Sequence, residues 1–181
     1  MSTQFPVHPD DVQQLLKIRR YLIGFRKTNG WSQPQLSQMI NGTAGMVWNL
    51  ESDLTWQWRL SRLQGWPVPF GLRLTAKLSF DAEDVDEAIN AHGEVAPMYA
   101  LSQTGDAWGR WQKIYLTSAL TVARKTLDVT SSELADRLGV TVKALLAWES
   151  SPDEMMLAKV LHHARALGGR IDLGLEEHAA S

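Results

Sequence analysis

The 181-residue sequence contains no cysteine. Disulfides, thiolate metal sites and cysteine nucleophiles are therefore excluded. No apolar run approaches the ~18 residues that a membrane-spanning helix needs. The start, Met1-Ser2-Thr3-Gln4-Phe5-Pro6, has neither the basic nor the apolar region of a secretory leader. Together these absences lead to the expectation of a cytoplasmic protein with no membrane partner. Net charge is also small, at −2, so contact with a polyanion would have to use a local basic surface. No glycine-rich phosphate loop occurs. His162 and His163 point to different sides of one helix, and no His/Asp/Glu set has metal-ligand spacing. Serines fall mostly at helix caps, and the acidic run Asp81–Glu87 reads as a solvated helix face. The expectation is no enzyme activity, no cofactor and no metal.

What the chain does have is a block that occurs twice. The first copy runs from Arg26-Lys27-Thr28 through Trp31-Ser32-Gln33-Pro34-Gln35-Leu36 to Val47-Trp48-Asn49-Leu50-Glu51. The second runs from Arg124-Lys125-Thr126 through Val129-Thr130-Ser131-Ser132-Glu133-Leu134 to Leu145-Leu146-Ala147-Trp148-Glu149. From Arg26 to Arg124 and from Glu51 to Glu149 the offset is the same 98 residues, without a gap. A register kept over caps, core and turn marks a duplicated supersecondary unit. Ser32 with Gln35, and Thr130 with Glu133, have capping-box spacing. Pro34 falls in a first helical turn, where its missing N–H costs nothing. Asn41-Gly42 and Gly139 punctuate the two copies. Thr43 and Thr141 then read as N-caps of a following helix with inward Val47 and Leu50, or Leu145 and Trp148.

These residues resemble the helix-turn-helix of lambda-repressor/Cro-like (XRE-type) DNA-binding domains. Residues 139–149, from Gly139 to Glu149, are the closer match at the turn and third helix, and Gln33 is the better match at the start of the second. With flanking helices the resemblance covers residues 9–74 and 107–175. It implies double-stranded DNA as partner, with Thr43, Ala44, Gly45, Met46 and Asn49 facing a groove from the first copy. Thr141, Val142, Lys143, Ala144 and Ala147 would do so from the second. Gln33 matches a residue that contacts the DNA backbone in the family, and Ser131 holds its place in the second copy. Lys27, Arg59, Arg62 and Lys125 would add phosphate contacts. The resemblance also implies two structural ion pairs, Arg26 with Glu51 and Arg124 with Glu149.

Among the groove-facing positions, only Asn49 and Lys143 are of the types that usually read bases by hydrogen bonds. Arg19, Arg20, Arg137 and Lys159 extend the basic set near helix ends. Of the eight tryptophans, most fall at helical spacing and suit core packing. Trp48 is on the outer side of its helix and suits a contact surface.

Taken in order, Pro9-Asp10-Asp11 opens a helix that runs to Lys27, with carboxylates at the positive end of its dipole. A fourth helix, Trp56 to Leu63, is stopped by Gly65 and Pro67. Leu72, Leu74, Ala76 and Leu78 alternate with polar residues, as do Ile171, Leu173 and Leu175, which predicts two short strands. Residues 82–91 read as an acidic helix ended by His92-Gly93, and 94–105 as a linker. A long helix over 106–125 opens the second copy, and Ser151-Pro152-Asp153 reads as the cap of a helix over 154–167.

The expected fold is mainly α: two helix-turn-helix domains in tandem, 1–80 and 106–181, each ending in a strand, joined by 81–105. Unpaired strands invite association, so the two segments should share one sheet. Pairing between chains, giving a homodimer through 72–78 and 171–175, is the competing outcome. The expected function is a repressor-like transcriptional regulator of bacterial or phage type. The alternative is an antitoxin-like, antirepressor-like or host-factor-binding module that keeps the fold as a scaffold.

Overall fold

The computed structural model describes residues 6–43, 45–52, 60–100, 107–150 and 156–177. The protein is mainly helical, with one small antiparallel sheet. The first helix, α1 (Pro9–Thr28), carries inward residues at helical spacing: Asp11, Leu15, Ile18, Leu22 and Arg26. Burying one such leucine is worth about 2 kcal/mol. Two short helices follow, α2 (Gln33–Met39) and α3 (Met46–Ser52), then α4 (Leu60–Gly65), a 3-10 turn (Val68–Phe70) and strand β1 (Leu72–Ser79). The remaining elements are α5 (Glu83–Ala100), α6 (Ala107–Thr126), α7 (Ser131–Leu138), α8 (Val142–Ser150), α9 (Leu157–Ala166) and β2 (Arg170–Glu177).

The two strands pair with each other, as expected from the need of lone strands to satisfy their backbone groups. Leu74 lies opposite Leu175, Ala76 opposite Leu173 and Leu78 opposite Ile171, which puts the apolar residues of both strands on one face. On the other face Arg73 meets Glu176 at 2.6 Å. Thr75 lies opposite Gly174, where a Cβ would sit 2.8 Å from the threonine hydroxyl, so a larger residue there would force Thr75 to shift.

The helices exchange partners across this sheet. α1 packs on β2, from the far end of the sequence, while α6 packs on β1. Gln14 of α1 makes the exchange specific: its amide donates to the Ile171 carbonyl at 3.3 Å and accepts from the Leu173 N–H at 2.7 Å. Asp11, 1% exposed, receives the Arg165 guanidinium of α9 at 2.6 and 3.3 Å. Leu22, Leu36, Leu74, Leu120, Leu134 and Leu161 consequently belong to one contiguous core.

Three boundaries differ from expectation. α5 does not stop at His92-Gly93 but continues to Ala100, so 94–100 of the expected linker is helical, and the rest of it lies outside the described residues. A lone glycine costs a helix only about 1 kcal/mol, and α5 packs along α6, which offsets that penalty. α9 begins at Leu157 after an N-cap at Met156 that makes no side-chain cap bond. The expected cap, Ser151-Pro152-Asp153, lies outside the described residues, as do Trp56 and Trp58 of the expected fourth helix. Finally, α3 starts at Met46 rather than directly after Thr43, whose carbonyl accepts the Met46 N–H at 2.9 Å. Thr141 does cap, its hydroxyl accepting from the Ala144 N–H at 3.2 Å. No helix of the described residues is long and apolar enough to cross a membrane.

His163 of α9 is 2% exposed, and its Nε2 finds no hydrogen-bond partner among the described residues. Burial, reinforced by the nearby Arg124 and His162 charges, pushes its pKa down to about 4. The unfolded chain therefore binds a proton below pH ~6.5 that the folded protein refuses until about pH 4. Stability should be full above pH ~6.5 and fall by roughly 2–3 kcal/mol as the pH drops to ~4.5. Urea unfolding across that range measures it, and His163→Leu should flatten the profile.

Candidate nucleic-acid interface

The capping boxes and the Arg–Glu pairs of the duplicated block recur in both copies. In the first, the Ser32 hydroxyl accepts from the Gln35 N–H at 3.3 Å, and the Gln35 side chain accepts from the Ser32 N–H at 2.8 Å. In the second, Thr130 and Glu133 do the same at 3.2 and 2.8 Å. The Glu133 carboxylate also accepts from the Thr130 hydroxyl at 2.7 Å, and these two bonds, the backbone N–H first and the hydroxyl second, hold it below its ordinary pKa. The helix that follows each cap ends in a left-handed residue, Asn41 (φ 51°) or Gly139 (φ 66°). Asparagine therefore occupies the turn position, and the adjacent Gly42 serves a different need. A Cβ at Gly42 would lie 2.7 Å from the Met46 sulfur.

Each block is pinned to the preceding long helix by an ion pair, buried in the first copy and part-buried in the second. Arg26 binds Glu51 through Nε–Oε1 at 2.5 Å and Nη2–Oε2 at 2.8 Å, and its Nη1 donates to the Trp31 carbonyl at 2.7 Å. Arg124 binds Glu149 through Nε–Oε1 at 3.1 Å, and its Nη1 donates to the Val129 carbonyl at 3.1 Å. The bond to Glu51 raises the Arg26 pKa further above its ordinary value. Both ion pairs expected from the resemblance are present, and the third partner, a carbonyl five residues on, recurs in each copy.

Pinning α3 and α8 in this way turns one face of each outward. Thr43, Gly45 and Asn49 are exposed and Met46 is half-buried, with Gly45 in the turn before α3. Ala44 lies outside the described residues. On the second copy Thr141, Val142, Lys143 and Ala147 are exposed, while Ala144 is half-buried. Gln33 is half-buried, and its amide donates one N–H to Glu51 Oε2 at 2.8 Å. Ser131, at the matching place, is half-buried.

The cations divide into spent and exposed. Arg19 donates to the Glu51 carbonyl, so it closes the C-terminus of α3, and Arg137 donates to the Ala166 carbonyl at 3.2 Å. Lys159 sits 4.6 Å from the Trp148 ring centroid. Lys27, Lys125 and Lys143 are exposed. Arg59 lies outside the described residues, as does the side chain of Arg62. Between Lys27 and Glu51 the sequence has no charged residue, whereas the second block carries Asp128, Glu133, Asp136, Arg137 and Lys143. Among the described residues, α3 and α8 therefore carry a single cation, Lys143, and no continuous basic stripe.

Its apolar content stands out more. Trp48 is 57% exposed, as its outward placement predicts, and Leu146 is 48% exposed. They occupy the same place in the two copies, 98 residues apart. Leu146 was not among the expected site residues, although the register that picked out Trp48 points to it. Ser37, also missed, is buried on the inner face of α2, where its hydroxyl accepts from the Val47 N–H of α3 at 3.3 Å. Among the described residues, no group of three or more His, Asp or Glu side chains could hold a metal.

Glu51→Ala should leave Arg26 buried without its carboxylate and cost about 3–5 kcal/mol. Glu149→Ala should cost a similar amount through Arg124. Denaturant unfolding of the two variants checks both, and a change below ~1 kcal/mol would show that the pairs do not hold the helices. No family model, curated protein or solved structure matches the chain.

Proposed function

We propose that the protein is a repressor-like DNA-binding transcriptional regulator of bacterial or phage type, with two XRE-type helix-turn-helix modules in one chain. On this reading α2–α3 and α7–α8 are the helix-turn-helix units, and residues 1–80 and 106–181 are the two modules. The observation that carries it is the double occurrence of one pinned arrangement. Capping box, left-handed turn and Arg–Glu pair recur in order, and each leaves a third helix with its outer face exposed. The antiparallel strands join the two units, and on this reading the two third helices meet half-sites about one helical turn apart. Lys27 and Lys125, in the last turns of α1 and α6, supply phosphate contacts at equivalent places, and Lys143 adds one beside α8.

One observation favours a second reading, a protein-interaction module of antitoxin, antirepressor or host-factor-binding type. Trp48 and Leu146 form equivalent exposed apolar spots on faces that hold few cations, and aromatic anchors of this kind are common at protein interfaces.

Fluorescence anisotropy with a random duplex, titrated with salt, separates the two. Under the DNA reading, log K falls linearly with log salt, and Lys27→Ala and Lys125→Ala each reduce the slope by about 1. A slope unchanged in both variants, or no binding at low salt, would favour the interaction module.

A further inference from the structure

Hydrogen-bonding readers are placed differently on the two outward faces. The exposed part of α3 carries Trp48 and Asn49 and no cation, and the turn before it holds Gly45. In α8 the place of Gly45 is taken by Lys143, and the place of Asn49 by Ala147. Val142, Leu146 and Ala147 complete that face with apolar surface. Each copy therefore offers one reader at a position where the other has a side chain unable to hydrogen-bond. Four residues of helix separate the two positions, or about 6 Å along the axis.

Base-edge chemistry gives these readers different targets. A side-chain amide matches the donor and acceptor of adenine N6 and N7, whereas an ammonium matches the two acceptors of guanine, O6 and N7. Apolar side chains find the thymine methyl group in the same groove. From these positions we infer that the two helices read unlike half-sites: α3 an A·T-rich one through Asn49 and Trp48, α8 a thymine-flanked guanine through Lys143. The operator of this chain is then asymmetric, although the two modules share one backbone arrangement. This inference rests on the DNA-binding reading.

Selection of bound sequences from a random duplex pool at low salt, with the full chain, tests it. The expected consensus is non-palindromic, A·T-rich at one half and guanine-containing at the other. Asn49→Ala should lose about tenfold or more discrimination at the adenine and leave the guanine half unchanged. Lys143→Ala should do the reverse. Both residues are exposed, and circular dichroism of each variant checks that the fold is kept. Replacing thymine by deoxyuracil in the selected duplex should weaken binding at both halves. A palindromic consensus, or variants that relax both halves alike, would overturn the inference while leaving DNA binding intact. Failure to retain any duplex at low salt would overturn both.

Discussion

The architecture depends on one constraint: two strands of eight residues each have to satisfy their backbone groups with each other. A two-stranded ribbon is marginal in water by itself, and this one is held because helices from both ends of the chain cover it. α4 and α6 pack on β1, and α1 and α9 pack on β2. The strand that follows one helical set is thereby covered by the first helix of the other. Gln14 strengthens this exchange by bonding the outer edge of β2, and the Asp11–Arg165 pair fastens α1 to α9. With one core running through both halves, the sheet fixes the relation between the two repeated units far more firmly than a flexible linker could.

Much of this was legible in the sequence because the signals are local. A capping box is a spacing of three residues, a strand is an alternation, and the duplication is a constant offset. The Arg26–Glu51 and Arg124–Glu149 pairs were legible for another reason: the resemblance named both partners. What escaped depended on tertiary contact. The run of α5 through Gly93 requires a neighbouring helix to lie along it, which no window of its own residues reveals. Gln14 reads as one more polar residue of an amphipathic helix until the edge of β2 is placed beside it. Asp11 reads as a dipole-stabilising carboxylate, yet it is buried against an arginine 154 residues away. The Gln33 amide bond to Glu51 likewise joins two residues 18 positions apart, which no local pattern reveals.

The two copies share a backbone and differ in surface. The first block is uncharged from Thr28 to Leu50, while the second mixes carboxylates with cations. Conserving the inward set keeps caps, turn and ion pair working, and those features leave the outward positions free to differ. Two modules fixed in one chain need not be identical, because no symmetry between separate subunits has to be preserved. Trp48 and Leu146 mark the point where the copies agree on exposure and differ in chemistry.

The central claim, that a single chain presents two DNA-reading helices at once, is tested most directly by hydroxyl-radical footprinting of a selected duplex at one chain per duplex. The account predicts two protected patches on the same face, centred about one helical turn apart, appearing together as protein is added. One patch alone, or a second that appears only when another chain binds, would contradict it.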